Sequence, residues 1–178
     1  NFGFLRIGTA GITAQAYGKR NRSEMVRTGL QGLVVAMFFS IFLLLIQWPF
    51  ARMILWLSPS SPQVEMLARE YFFIRIWAAP AVLMLFVFRG WFIGVQNTFA
   101  SMIMDVVING SNIGLSIYLA LYCHMGLRGI ALGTVASQYI GILSAIVLIV
   151  AYYRKLAPFV RWKSIWRKDG WKRYFSLS

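Results

Sequence analysis

Between Thr98 and Tyr122 the chain is apolar over a length that crosses a bilayer, yet it keeps a row of polar side chains. Ser101, Asp105, Asn109, Asn112 and Ser116 follow one another at spacings of four, four, three and four. At about 100° per residue these positions share one face of a helix. Gly110 and Gly114 fall on the opposite face, a small-xxx-small pair that suits close approach of another helix. Unpartnered polar groups are costly in hydrocarbon, so the polar stripe points to the bundle interior or to a water-filled cavity. Two readings fit it: a row lining a transport pathway, or hydroxyl and amide groups that hydrogen-bond between helices.

The same pattern of apolar runs and punctuation predicts the other elements. Residues 2–17 form a short opening segment with Gly8, Thr9, Gly11 and Thr13 spaced for helix packing. Residues 25–47 form a span whose polar residues are Thr28, Gln31 and Ser40, read as mostly lipid-facing, with Trp48 and Pro49 marking its end. Residues 50–57 read as a short interfacial helix, and 58–62 as a turn. The span 66–94 follows, and Pro80 within it predicts a kink because it removes a backbone donor. Arg75 and Arg89 in this span are spaced to snorkel toward opposite interfaces, and Tyr71 with Arg75, one turn apart, could line a cavity mouth. Residues 94–100 and 124–129 are turns, the second placing His124 in solvent. The last span, 129–152, carries Gly133, Ser137, Gly141 and Ala145 every fourth residue, a ridge expected to pack on the Gly110 and Gly114 face.

Composition turns this pattern into a class. Hydrophobic residues make up 59% of the 178, charged residues 13%, and the mean hydropathy is +0.65. The fold class is therefore all-α, a polytopic membrane helical bundle over residues 1–155, followed by a basic segment over 156–178. The net charge of +13 is concentrated in the loop 17–27 and in the tail after Ala151. The connections between them hold only Arg52, Arg69 and Arg128. This positive-inside asymmetry puts the first loop and the tail in the cytoplasm, with basic groups facing anionic membrane lipids rather than nucleic acid. Cys123 stands alone, which excludes an internal disulfide. Asn1 rather than Met opens the chain, and the short first segment suggests an internal fragment that starts partway through a helix. Paired carboxylates, metal-ligand clusters, a phosphate-binding glycine loop and a nucleophile elbow are all missing, so neither an enzyme nor a cofactor or metal is expected.

The runs FGFLRIGTAGITAQAYGKRN, VEMLAREYFFIRIWAAPAVL, RGWFIGVQNT, the stretch from Asn109 to Ser116, and HMGLRGIALGTVASQ occur in that order. Together they resemble the multidrug and toxic compound extrusion (MATE) transporters, DinF-like branch. The resemblance implies twelve helices in two six-helix lobes, of which this chain would supply the end of helix 2 through helix 6 of the N-terminal lobe. Helix 1 and the C-terminal lobe of the same protein would be its partners, and residues 156–178 the cytoplasmic linker toward helix 7. It further implies a secondary active antiporter of a bacterial inner membrane, exporting amphipathic organic cations in exchange for H⁺ or Na⁺. A lipid-linked oligosaccharide flippase of the same superfamily is the first rival, and a membrane-embedded enzyme or structural subunit the second.

Carried over by motif, a helix 5 asparagine with a proton-linked role in the family falls on Asn112, and a helix 6 threonine on Thr134. A helix 5 aspartate found in some members falls on Ser116, which cannot exchange a proton near neutral pH. Ser101 stands where relatives often have proline. The family's coupling aspartate belongs to helix 1, outside this chain. The expected pathway residues are thus Asn109, Asn112, Ser116 and Thr134, with Tyr71 and Asp105 at its margins. In a Cys123→Ser background, single cysteines in the loop 17–27 and after Arg154 should resist membrane-impermeant thiol reagents in intact cells. Labelling at both places from outside would invert the topology.

Overall fold

The computed structural model describes residues 3–57 and 61–159, all of it built from helices and their connections. The basic segment 160–178 lies outside the described residues, as does most of the 58–62 turn. In chain order the helices are α1 (Gly3–Gly18), α2 (Arg22–Leu57), α3 (Pro62–Arg75), α4 (Ala79–Gly94), α5 (Thr98–Ile117) and α6 (Leu127–Tyr153). A 3₁₀ turn, Ile76–Ala78, joins α3 to α4, a π turn, Tyr118–Tyr122, extends α5, and a 3₁₀ segment, Arg154–Phe159, follows α6. Four stretches are long and apolar enough to cross a membrane: Arg22–Met53, Pro62–Gly94, Thr98–Tyr122 and Leu127–Phe159.

Local chemistry sets the ends. Asn21 accepts a hydrogen bond from the Glu24 backbone N–H (3.1 Å) and donates Nδ2 to the Glu24 carboxylate (3.3 Å), a reciprocal cap on α2. Asn97 caps α5 by accepting from Ala100 N–H (3.1 Å). Pro80 acts as expected: Ile76 O, the carbonyl that an N–H at position 80 would have used, accepts instead from Ala79 N–H, and the chain takes a 3₁₀ turn there.

Pro49 does not behave as expected. It lies inside α2, which runs on to Leu57, so the end at Trp48 and the separate interfacial helix over 50–57 are both corrected. A proline inside a helix costs about 3 kcal/mol, and the tertiary contacts beyond it offset this. Ala51 is buried, the Trp48 and Phe73 rings lie 5.8 Å apart, and Phe50 meets Phe72 at 6.4 Å. Nor is α2 lipid-facing in its polar residues. Thr28, Gln31 and Ser40 are buried with Val35 and Ala36, while Phe38, Ile41 and Leu45 face outward. The hydroxyls of Thr28 and Ser40 close onto their own helix, at Glu24 O (2.9 Å) and Ala36 O (2.6 Å).

Two glycine seams hold the bundle. In the first, Gly90 and Gly94 of α4 lie against α1. A Cβ at Gly94 would stand 2.5 Å from Thr13 Cβ and 2.9 Å from Ala10 O, so nothing larger than hydrogen fits. Thr9 and Thr13 are buried in this contact, which accounts for their spacing. The second seam joins α6 to α5. A Cβ at Gly129 would meet Leu119 C at 2.6 Å, one at Gly133 would meet Ser116 N at 2.7 Å, and one at Gly141 would meet Ile108 Cγ1 at 2.5 Å.

The α6 ridge is therefore used, but against a different face of α5. Gly110 and Gly114 are exposed, and a Cβ at either would meet nothing within 4 Å. Close packing requires a missing side chain on only one of the two helices at each level, and α6 supplies it. The face of α5 with Ser101, Met104 and Ile108 is the buried one. Gly133→Leu should accordingly push the helices apart and lower the yield of monodisperse full-length protein several-fold, an overpacking cost of at least about 1–3 kcal/mol. Val147→Leu, on the exposed side of the same helix, should leave the yield unchanged in the same size-exclusion assay. Equal losses would contradict the seam.

Candidate functional site

The second seam carries the polar residues. Where Gly133 lets α5 and α6 touch, Ser116 Oγ lies 3.0 Å from Asn112 Oδ1 and Thr134 Oγ1 lies 3.2 Å from the same oxygen. Thr134 Oγ1 is also 3.0 Å from Ile130 O, and Ser116 Oγ 3.5 Å from it. Each hydroxyl has one proton and two acceptors in reach, so the amide oxygen and the Ile130 carbonyl share two donors between them. Asn112, Ser116 and Thr134 thus form a single cross-helix network, half-buried and well inside the two spans. In the recorded orientation the Asn112 amide N–H groups have no acceptor among the described residues. Ser137, below Thr134 on α6, is buried and donates to Thr134 O (2.7 Å).

The stripe does not stay together. All five positions fall within about 80° of one another around the helix, so the split follows position along α5 rather than angle: Asn112 and Ser116, nearer its C-terminal end, meet Thr134. Ser101, Asp105 and Asn109 all line an open groove of about 610 Å³ along with Thr98 and Gly110, Ser101 being the most buried of the three. Asn109 is exposed and donates Nδ2 to Asp105 O of its own helix (2.9 Å). Tyr71 lies on α3, facing Arg75, in a groove formed with Ala51 and Leu127 and distinct from the α5–α6 network.

Asp105 is engaged elsewhere, and this corrects the expectation for Arg89. Arg89 does not snorkel. It reaches from α4 to α5, donating Nε to Asp105 Oδ1 at 2.7 Å, with Nη2 at 2.6 Å. Side-chain exposures of 23% and 42% place the pair at a partly open surface. Both residues lie within two turns of the short 94–98 connection, so an opposite charge on each side of a tight turn was the available sequence signal. A second pair was also missed: Arg128 at the start of α6 grips the Glu70 carboxylate of α3 through both Nε (2.7 Å) and Nη2. Its two members are separated by 58 positions, and nothing local in the sequence joins them.

Comparison with known proteins gives this geometry a setting. Residues 2–118 match the MatE family model. DNA damage-inducible protein F of Escherichia coli (strain K12) is 37% identical over 146 residues, which cover 82% of this chain and 32% of that protein. The chain therefore spans about one third of the length of the curated relative it matches. Among solved structures, an inward-facing multidrug resistance MATE family transporter of the MOP superfamily superposes with a TM-score of 0.82. The identity is 17%, over 99% of this chain and 40% of that one. A MOP superfamily transporter from Pyrococcus furiosus, described as having a binding pocket of reversed polarity, gives the same score over 39% of its length. At such identity the superpositions speak for the fold, a helical membrane bundle forming most of one lobe. The family-model match carries the assignment: this multi-pass membrane chain belongs to the MATE family and is similar within it to DinF.

Proposed function

We propose that this chain is the part of the N-terminal lobe running from the end of helix 2 through helix 6 of a secondary active antiporter, in a bacterial inner membrane, with residues 156–178 as the cytoplasmic linker. The antiporter exports amphipathic organic cations, and H⁺ is the coupling ion, with Na⁺ as the alternative. The observation that carries this reading is the Asn112, Ser116 and Thr134 network within the spans. Polar groups at that depth are costly unless partnered, and such a row faces the bundle interior or a water-filled cavity. The network contains no basic side chain, which favours a cationic cargo over the phosphate-bearing cargo of a flippase.

None of the three residues titrates near neutral pH, so they hold a proton-exchanging acid rather than act as one. Asp105 is poorly placed for that part. It is 11 positions from Ser116, about 16 Å along the helix, and its carboxylate is paired with Arg89. The acid then belongs to helix 1, and the free amide N–H groups of Asn112 stabilise its charged form, linking proton uptake to substrate release. In the full-length protein, Asn112→Ala should reduce proton-driven efflux of tetraphenylphosphonium from membrane vesicles by about tenfold or more. The double change Arg89→Gln with Asp105→Asn, which removes both charges together, should leave most of it. Efflux that survives the first variant and is abolished by the second would place the coupling site at the other end of α5.

A further inference from the structure

Two prolines bound a part of the chain that the polar network does not use. Pro49 interrupts the hydrogen bonding of α2, and Pro80 follows the Ile76–Ala78 turn that separates α3 from α4. Between them lie the outer end of α2 and the whole of α3, an outer hairpin joined through residues 58–61. Burial changes abruptly at its inner end. Among the described residues of 49–77 only Ala51 is buried, and α3 buries none of its 14 residues. From Ala78 onward the chain is core, with Leu83, Leu85, Phe88, Trp91 and Phe92 of α4 buried and its glycines closed onto α1. A sparsely buried helix that continues from a well-packed one through a 3₁₀ turn has the build of a lever on a hinge.

Among the described residues, two polar contacts fasten this lever to α6. At the hinge, Tyr139 donates its hydroxyl to Trp77 O (2.8 Å), which pins the turn itself. About 9 Å further out, Arg128 holds the Glu70 carboxylate through Nε (2.7 Å) and Nη2. With side-chain exposures of 56% and 32%, this pair adds little net stability and is screened by salt, so it can open and close. The ring contacts of Phe50 with Phe72 and of Trp48 with Phe73 lie inside the hairpin or at its edge.

The α6 side of the pair bears on the candidate site. Arg128 is in the first turn of α6, whose N-cap, Gly126, has φ 54° and supplies no capping side chain. Two positions on, Ile130 O accepts from Thr134 Oγ1 (3.0 Å) and lies 3.5 Å from Ser116 Oγ. The residue that grips α3 and the carbonyl that anchors the network thus share one helical turn. We propose that the outer hairpin swings about the Ile76–Ala78 turn, and that the Arg128–Glu70 pair is the catch that holds it on α6 and steadies Ile130 O for Ser116 and Thr134. Arg128 and Glu70 are then positioning residues. Their bearing on transport rests on the function proposed above; the swing itself does not.

Double electron–electron resonance on the full-length Cys123→Ser protein in nanodiscs tests the swing. One spin-label pair, Met66→Cys with Leu132→Cys, measures α3 against α6, and a second, Ile93→Cys with Val147→Cys, measures α4 against α6, all four at exposed positions. Glu70→Ala should lengthen the first distance by several ångströms and leave the second unchanged, and Glu70→Arg with Arg128→Glu should restore it. If Glu70→Ala does not fold, molar potassium chloride screens the pair in protein that keeps Glu70 and gives the same readout. A first distance that responds to neither, or equal lengthening of both distances, would overturn the lever. Joining Glu70→Cys to Arg128→Cys with a short reducible bis-methanethiosulfonate should remove most tetraphenylphosphonium efflux, and dithiothreitol should restore it. Full efflux from the linked protein would overturn the part of the catch in transport, whereas failure of the Asn112→Ala test would leave the measured distances untouched.

Discussion

Helices α5 and α6 meet almost backbone to backbone, and this contact depends on Gly129, Gly133 and Gly141 having no side chain. In a bilayer there is no water to expel from between two helices, so association rests on packing and on hydrogen bonds. Removing the side chains from one surface serves both. It lets the atoms of Leu119, Ser116 and Ile108 reach van der Waals distance of the opposing helix, and it brings the short side chain of Asn112 within 3.2 Å of Thr134. A wider seam would break the Thr134–Asn112 contact and leave Ser116 with Asn112, and Thr134 with Ile130, bonded only within their own helices. One of the two seams that hold the bundle is therefore also the one that assembles its candidate site.

The charges are arranged to leave that site neutral. Arg89 with Asp105 ties α4 to α5 near one end, and Arg128 with Glu70 ties α3 to α6 near the other. Each pair spans two elements and neutralises a carboxylate that would otherwise compete for protons or cations. Between the two levels the α5–α6 seam has only amide and hydroxyl groups. Such groups can stabilise an acid in either protonation state by small rearrangements, which suits a relay whose titrating member comes from another helix.

Much of this was legible in the sequence, and the failures have physical causes. The spans, the break at Pro80 and the α6 ridge follow from apolar length, a missing backbone donor and a four-residue spacing, all of them local properties. Asn112, Ser116 and Thr134 were singled out, and the structure brings them together. Gly110 and Gly114 misled because small residues permit close packing without requiring it, and the choice between two faces of α5 is made by what lies opposite. The spacing of Gly90 and Gly94 held the same signal as the α6 ridge but fell next to a turn, where glycine has a second explanation. Pro49 and the Arg128–Glu70 pair depend on distant partners, α3 in both cases, and no window on one segment reveals them, whereas Arg89 and Asp105 flank a single short turn.

The most direct test of this account is the register and facing of α5 against α6 in the membrane. Cysteines at Asn112→Cys and Thr134→Cys, in a full-length protein carrying Cys123→Ser, replace two side chains that touch across the seam. Oxidation with copper phenanthroline in native membranes should join them within minutes, whereas Gly114→Cys paired with Thr134→Cys should remain reduced, because Gly114 faces away from α6. Cross-linking of the second pair and not the first would mean that α5 presents its glycine face to α6, and the polar network would not exist.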